Sequence, residues 1–350
     1  MSDPKVSVLM SVYNGERFVR EAIDSILNQT FQDFEFIIID DGSTDHSPQI
    51  LNSYEDPRIR LITNEKNIGL TRSLNKGIDL CRGEYIARMD GDDISLPERL
   101  KKQVEFMDHN RGVGISGTWK RSIGLKSNKK NKFPIRDSEI RCMLLFNNAF
   151  CHSSLIISAR AIKRFKLNYN PSLKYSQDYD FVVRGTEYFS VANIPKVLIA
   201  YRFHAHQIAE SNRAKQIKVA DRVRTYQFQK LGINPTEKEL KLIFNFVDLT
   251  LPSSHDLVEE SAVFLKRLFL ANEEKKIYDR AILKIYLGQL WFRLCNASTP
   301  LGLKGWGKYW DSSLSNFDNP GLRKTTKFFI KSVAGALNSN VNYQKNIKPL

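Results

Sequence analysis

The chain holds only four cysteines, Cys81, Cys142, Cys151 and Cys295, with no Cys-x-x-Cys pair among them. Such sparse, scattered thiols argue against a disulfide framework or a structural zinc and point to a reducing, cytoplasmic setting. No apolar run approaches the roughly 18 residues that a spanning helix needs. Met1-Ser2-Asp3-Pro4-Lys5 leads directly into a strand-like segment without the apolar stretch of a signal peptide. The expectation is therefore a soluble or peripheral protein. Gly-x-Gly-x-x-Gly is missing from the first βα turn, which disfavours a dehydrogenase, and neither an internal repeat nor a low-complexity tract is present.

Negative charge is in deficit. Lys and Arg number 53 against 38 Asp and Glu, a net charge of +15, which favours anionic partners: nucleotide phosphates, an acidic membrane surface or nucleic acid. Hydrophobic residues at 42% and charged residues at 26% of 350 describe an ordinary globular chain, long enough for one large domain with an appendage or for two. Against the basic background, Arg88-Met89-Asp90-Gly91-Asp92-Asp93 places three carboxylates in four positions after the apolar run Tyr85-Ile86-Ala87. Such crowding is relieved either by a solvated turn or by a divalent cation that hard oxygen ligands hold against a substrate's phosphates.

Val6–Met10, Phe34–Ile39, Arg58–Ile62, Glu84–Met89 and Val113–Gly117 read as strands, and residues 18–29, 70–78 and 97–107 have helical spacing. Strands alternating with helices predict an α/β fold on a largely parallel sheet covered on both faces. Ligands bind such sheets where the strands' carboxyl ends open into a crevice. Asn14, Asp41 and Asp92 all fall on that edge. Residues 120–136 read as a basic loop, Ser153–Ser158 as a short strand, Asp178 as lying near a helix N-terminus and Val197–His204 as a strand. After residue 212 the pattern turns to long helices, which divides the chain into an α/β domain, 1–212, and a helical, basic C-terminal region, 213–350.

Taken in order, several segments resemble glycosyltransferase family 2: Val6–Gly15, Ser25–Thr30, Ile39–Asp45, Asn67-Ile68-Gly69-Leu70, Gly83–Asp93, Pro97-Glu98-Arg99-Leu100, Gln177-Asp178-Tyr179-Asp180 and Tyr201-Arg202-Phe203-His204. The resemblance runs from about residue 5 to 210 and stops beyond 212; its specificity lies in the ordered set rather than in any one piece. It implies a GT-A fold and an inverting transfer from a nucleotide-sugar, first of all a UDP-sugar, to a saccharide or lipid-linked acceptor in surface glycan or polysaccharide biosynthesis. By the same resemblance Ser11, Tyr13 and Asn14 lie where the nucleotide is held, and Asp41 where a carboxylate accepts the base's imino hydrogen. Asp90 and Asp92 match the two ends of the family's Asp-x-Asp motif and are both candidate ligands for Mn²⁺ or Mg²⁺, with Asp92 the better one and Asp90 closer to the ribose. Arg88 pairs with these acids or approaches a phosphate. His204 occupies a position close to the metal and diphosphate and is a further candidate metal ligand, against a structural or surface role. Asp178 matches the catalytic base, with Gln177 standing where many members carry Glu.

Plainer roles compete for the same residues. Asp178 alone would serve as a helix cap, His152 as an acceptor-side group or a core hydrogen-bonding partner, and Trp119 and Tyr175 as core aromatics or sugar-stacking platforms. Two other classes of function compete as well. A sugar-phosphate nucleotidyltransferase shares the crevice and the metal but wants a glycine-rich, lysine-bearing loop that the first strand lacks. A non-enzymatic nucleic-acid-binding protein suits the charge but has no use for Asp41, Asp92 and Asp178, so no nucleic-acid partner is expected. Residues 321–337 read as an amphipathic helix with Leu322, Phe329, Ile330, Val333 and Leu337 on one face and Arg323, Lys324, Lys327 and Lys331 supplying positive charge. That helix suits packing on its own domain or peripheral contact with the cytoplasmic face of a membrane.

Overall fold

The computed structural model describes residues 3–124, 129–204, 212–248 and 255–345. The chain falls into two compact units, Met1–Ile140 with Asn148–Val223, and Arg141–Asn147 with Arg224–Leu350.

The first unit holds the sheet. Its strands are β1 (Val6–Val12), β2 (Phe34–Asp40), β3 (Ile59–Thr63), β4 (Tyr85–Asp90), β5 (Ile94–Ser95), β6 (Val113–Gly124), β7 (Lys130–Asn131), β8 (Ile156–Ser158) and β9 (Ser190–Phe203). They pair in the order β3-β2-β1-β4-β8-β6-β9-β5, with β7 added to β6. β1 runs parallel to β2 and β4, β2 to β3, and β6 to β9, while β5, β7 and β8 are antiparallel to their neighbours. By registered length the pairing is mostly parallel, the expected α/β architecture.

The central strands read as near-continuous apolar runs because both faces are covered. Val6, Val8 and Met10 join one cluster with Val19, Ala22, Ile23 and Ile26 of α1 (Val19–Leu27). On the other face Leu9 packs close to Gly77 of α3 (Leu70–Leu80), where a Cβ would come within 2.2 Å of Leu9 Cδ1. Each large aliphatic buried in this way contributes about 1.5–3 kcal/mol. The register pairs Val12 with Asp40 and Ser11 with Asp90, so the acidic ends of β2 and β4 flank the end of β1. Further helices complete this unit: α2 (Ser47–Asn52), α4 (Arg99–His109), α5 (Asp137–Leu144), which the boundary cuts, α6 (Ala159–Phe165) and α7 (Gln177–Gly185).

Several segments depart from the sequence reading. Residues 120–136 are not a loop throughout: β6 continues to Gly124 and β7 returns against it, pairing Lys120 with Asn131 and Arg121 with Lys130. Lys120 Nζ lies 3.5 Å from the Tyr201 ring centroid, a cation–π contact that lets a charged residue sit in the sheet. The segment read as a strand from Ser153 opens instead as a 3-10 turn over His152–Ser154, and β8 starts at Ile156. β9 begins at Ser190, well before Val197. Pro195 interrupts it where the register with β6 slips from Thr118–Ile194 to Trp119–Val197, because proline has no N–H to give the ladder.

The second unit is helical: α8 (Arg213–Lys230), which the boundary also cuts, α9 (Glu237–Asp248), α10 (His255–Lys275), α11 (Arg280–Ala297), α12 (Leu303–Asp311) and α13 (Leu322–Lys345). Its core gathers Phe228, Phe264, Trp291, Tyr309 and Phe328. α13 packs through Phe328 and Ser332, both fully buried, while Leu322, Phe329, Ile330 and Leu337 are exposed. The apolar stripe apparent in the sequence is therefore not the packed face. No described helix is long and apolar enough to cross a membrane.

Candidate active site

Two loops leave the carboxyl edge of the sheet and fasten to each other. Asn14, just after β1, takes a left-handed backbone with φ 50°, which asparagine tolerates. Its Oδ1 accepts Thr44 N–H at 2.8 Å and its own N–H donates to Ser43 Oγ at 3.0 Å. Gly15 N–H donates to Ser47 Oγ at 2.8 Å, and Glu16 N–H to Asp45 Oδ2 at 3.0 Å. The loop after β2 is thereby zipped to the loop after β1, with Tyr13 exposed and Ser11 half-buried opposite Asp90.

Asp41 lies deeper, at 1% exposure. Its Oδ1 accepts from Asn64 Nδ2, Ile68 N and Ser73 Oγ and its Oδ2 from Gly69 N, each at 2.9 Å. Four donors on a buried carboxylate tie the Asn67-Ile68-Gly69 loop and the start of α3 to the end of β2.

The acidic cluster follows β4. Gln29, at the end of the α1 segment, braces what comes after it: its Nε2 donates to Leu96 O at 2.9 Å and its Oε1 accepts Leu100 N–H at 3.0 Å. β5 pairs Ile94 with Ala200, which brings Asp92 and Asp93 against the end of β9. Arg202 N–H donates to Asp93 Oδ1 at 2.8 Å and Arg202 Nε to Asp92 O at 2.9 Å. His204 Nε2 lies 3.0 Å from Asp92 Oδ2, and the His204 ring packs on Phe18 at 4.8 Å between centroids.

Opposite charge and unequal protonation relieve the crowding. Arg88, 1% exposed, donates to Asp90 Oδ1 at 2.5 Å and also to Met89 O. Buried Arg99 donates to Arg88 O at 2.6 Å and to Gln103 Oε1 at 2.9 Å; burial lowers its pKa to about 9, so it keeps its charge at neutral pH. Burial works against the Asp90 carboxylate, but the Arg88 charge, His152 and the Ser153 hydroxyl together hold its pKa below the usual range. Asp92 is pushed up by burial and by Asp90, and Asp93 well up by burial and by both neighbours. Ser153 Oγ contacts Asp90 Oδ2, at 2.9 Å, and Asp93 Oδ2. One hydroxyl hydrogen cannot serve both. A neutral Asp93 that donates to Ser153, with Ser153 donating to an ionised Asp90, satisfies all three groups.

The same cluster decides what could hold a divalent ion. Asp92 and His204 offer a carboxylate oxygen and an imidazole nitrogen side by side, and His204 Nδ1 has no hydrogen-bond partner among the described residues. Asp90 is turned to Arg88 and Ser153, and among the described residues no group of three His, Cys, Asp or Glu could hold a metal. The residues present therefore fit a two-ligand contribution from Asp92 and His204, completed by oxygens of a bound phosphate and water, as Mg²⁺ and Mn²⁺ accept.

Asp178 stands in the first turn of α7, which begins after Ser176, a residue with φ 51°. Its Oδ2 accepts a hydrogen bond from Asn148 Nδ2 at 2.8 Å. Nearby, His152 Nε2 contacts Tyr169 OH at 2.8 Å. Burial foremost, then the Arg88 charge, lowers the pKa of His152 to about 4, against the pull of both Asp178 and Asp90. His152 thus stays neutral and lies within the field of both carboxylates. Trp119 Nε1 donates to Phe133 O at 2.9 Å, and Tyr175 OH to Asn212 Oδ1 at 3.0 Å.

The structure assembles Ser11, Arg88, Asp90, Asp92 and His204 at the ends of β1, β4 and β9, and keeps Asn14 in the adjoining loop. It seals Asp41 beneath. Sequence reasoning did not single out Asn148 or Ser153, polar residues in a stretch without a motif. Arg99 and Arg202 were given no role either, although they lie in the motif segments Pro97-Glu98-Arg99-Leu100 and Tyr201-Arg202-Phe203-His204, a signal that could have found them.

Residues 7–167 match the family Glycosyl transferase family 2. An uncharacterized glycosyltransferase of Haemophilus influenzae is 32% identical over 247 residues, spanning 66% of this chain and 76% of that protein. The chain belongs to glycosyltransferase family 2. The O-antigen biosynthesis glycosyltransferase WbnJ of Escherichia coli is 35% identical to this family 2 glycosyltransferase over 208 residues, 57% of this chain and 80% of WbnJ. Among solved structures, S. aureus TarS 1-349 in complex with UDP-GlcNAc superposes with a TM-score of 0.55 at 17% identity, over 88% of each chain. The mannosyltransferase PcManGT of Pyrobaculum calidifontis, in complex with GDP-Man and Mn²⁺, superposes with a TM-score of 0.50 at 13% identity, over 97% of this chain and 87% of that one. At these identities the likeness concerns the fold, which is GT-A. Membership sets aside the nucleotidyltransferase and nucleic-acid-binding readings.

Proposed function

We propose that this family 2 glycosyltransferase transfers a sugar from a UDP-sugar, with inversion, to a saccharide or lipid-linked acceptor in the assembly of a surface glycan. The observation that carries this reading is the pairing of two carboxylate stations on one unit: Asp92 with His204 at the strand ends, and Asp178 in the first turn of α7, with neutral His152 in the field of Asp178 and of Asp90. Names among the relatives and neighbours lend support, since WbnJ is an O-antigen enzyme and TarS was solved with UDP-GlcNAc.

In this reading Ser11, Tyr13 and Asn14 line the nucleotide, and Asp41 shapes that end by holding the Asn67–Gly69 loop. Direct contact of Asp41 with a base requires that loop to open, because four donors already occupy the carboxylate. Asp92 and His204 would hold Mn²⁺ or Mg²⁺. When bound, the ion supplies positive charge to the departing diphosphate. Arg88 holds Asp90 ionised and oriented beside the ribose. Asp178, fixed by Asn148, accepts the proton of the acceptor hydroxyl as that oxygen attacks the anomeric carbon from the face opposite the diphosphate. A single displacement of this kind inverts the configuration.

Calorimetry with UDP, GDP, CDP and dTDP, with and without Mn²⁺, tests the donor half. A Mn²⁺-dependent preference for UDP that Asp92→Ala removes supports it. Preference for GDP replaces the UDP assignment and keeps the site. Absence of nucleotide binding by folded protein overturns the site.

A further inference from the structure

We infer that the second unit docks on an anionic lipid surface through the exposed apolar stripe of α13 and its basic flank, an inference independent of the donor chemistry. At about 3.6 residues per turn the helix presents three sectors. One, carrying Phe328 and Ser332, is buried in its own unit. The second carries Leu322 (85% exposed), Phe329 (44%), Ile330 (61%) and Leu337 (61%). The third, next to it, carries exposed Arg323, Lys324, Lys327 and Lys331. No Asp or Glu occurs between Leu322 and Lys345.

The apolar sector does not end with the helix. Trp306 of α12 lies 5.3 Å from the Phe329 ring and 5.6 Å from that of Trp310, which is half exposed. Exposed Leu303 shares that face of α12 one turn earlier, and Asp311 is the one acid of that helix. Large apolar side chains exposed side by side in this way, rather than scattered singly, mark an interaction surface. The occupant is read from charge: a cationic strip alongside leucine, isoleucine, phenylalanine and tryptophan matches the boundary between acyl chains and anionic headgroups.

The test is co-sedimentation of the full chain with vesicles of phosphatidylcholine alone and of an equimolar mixture with phosphatidylglycerol. Binding is expected to the anionic vesicles, at least about tenfold stronger than to the neutral ones and weakened by salt. Removing the charge with Lys324→Gln and Lys327→Gln should weaken it about fivefold per residue. Phe329→Ser with Ile330→Ser should weaken it about tenfold or more at unchanged net charge. The charge-matched control Lys101→Gln with Lys163→Gln, exposed positions on the other unit, should bind like the native chain. Three results overturn the inference: no sedimentation of folded protein with anionic vesicles; equal loss in the control pair; or a native dimer that Phe329→Ser with Ile330→Ser dissociates, which assigns the stripe to a second copy.

Discussion

Asn148 points its amide nitrogen at Asp178 because its other amide atom is already committed: Phe150 N–H donates to Asn148 Oδ1 at 3.1 Å, leaving Nδ2 to donate to Asp178 Oδ2 at 2.8 Å. The carboxylate proposed as base is therefore oriented by a side chain that cannot flip without losing a backbone donor. Asn148→Ala should lower kcat about tenfold, the worth of about one hydrogen bond and of a free rotor, with KM for the donor changed less than twofold. Asp178→Asn should remove about 10²- to 10⁴-fold in kcat, the range of a general base, and leave nucleotide affinity intact. An equal rise in donor KM for both variants would place Asp178 with the donor instead.

Gly42 is the residue of the Asp40–Asp45 run that the backbone will not exchange. Its φ is +69°, and a Cβ there would lie 2.6 Å from Lys66 C and 2.8 Å from Asn67 N. Both the left-handed conformation and the contact with backbone atoms count against any side chain. Gly42→Ala should cost about 2–4 kcal/mol in urea unfolding and, by displacing the Asn67–Gly69 loop that Asp41 holds, weaken nucleotide binding. Gly112→Ala, where no atom lies within 4 Å of a built Cβ, is the control expected to stay within about 1 kcal/mol of native.

Much of the sheet was legible because its strands are buried on both faces, so Val6–Met10 and Phe34–Ile39 stand out as apolar blocks. Strand ends were legible too: Asp40 ends the block Phe34–Ile39, and Asp90 ends the strand that holds Tyr85-Ile86-Ala87, where the sheet opens. Pro195 hid the first half of β9, since a proline argues against a central strand and only the bulge against β6 accommodates it. Lysines at 120, 129, 130 and 132 hid the hairpin, because the contact of Lys120 with Tyr201 joins residues far apart in sequence. On α13 the periodicity was right and the sector that packs stayed open, for a helix wheel shows which residues share a face but not which face meets the core. Asn148 had no signal at all. Its role depends on a loop conformation that no spacing encodes.

Glu35 makes stability depend on pH. It is 5% exposed, and its Oε1 accepts Ser7 Oγ at 2.6 Å and Arg82 N–H at 2.8 Å, while its Oε2 accepts the Arg82 guanidinium at 2.8 Å. Burial opposes ionisation, but these hydrogen bonds and the Arg82 charge outweigh it and lower the pKa. A carboxylate with a depressed folded pKa contributes stability above its unfolded value, roughly 4.3, and loses it as pH falls through the folded value. Glu35→Gln should therefore destabilise by about 1–3 kcal/mol at pH 7. The gap between variant and native urea midpoints should narrow as pH falls below about 4. A gap independent of pH would make the loss one of packing alone.

Removing the ion should separate Asp92 from its neighbours. Asp92 is 31% exposed at its side chain and contacts His204, whereas Asp90 is held by Arg88 and Ser153. If Asp92 and His204 are the protein's ligands, Asp92→Ala should abolish the Mn²⁺-dependent part of UDP affinity, and His204→Ala should lower it about 10- to 100-fold. Asp90→Asn should keep Mn²⁺ dependence but weaken UDP in the presence and absence of metal alike, since it would loosen Arg88 and the ribose end. Manganese paramagnetic relaxation of water protons, titrated with the UDP complex of each variant, reads the ion directly and needs no turnover. Equal loss of bound Mn²⁺ in Asp90→Asn and Asp92→Ala would show that Asp90 leaves Arg88 to join the ion when nucleotide binds.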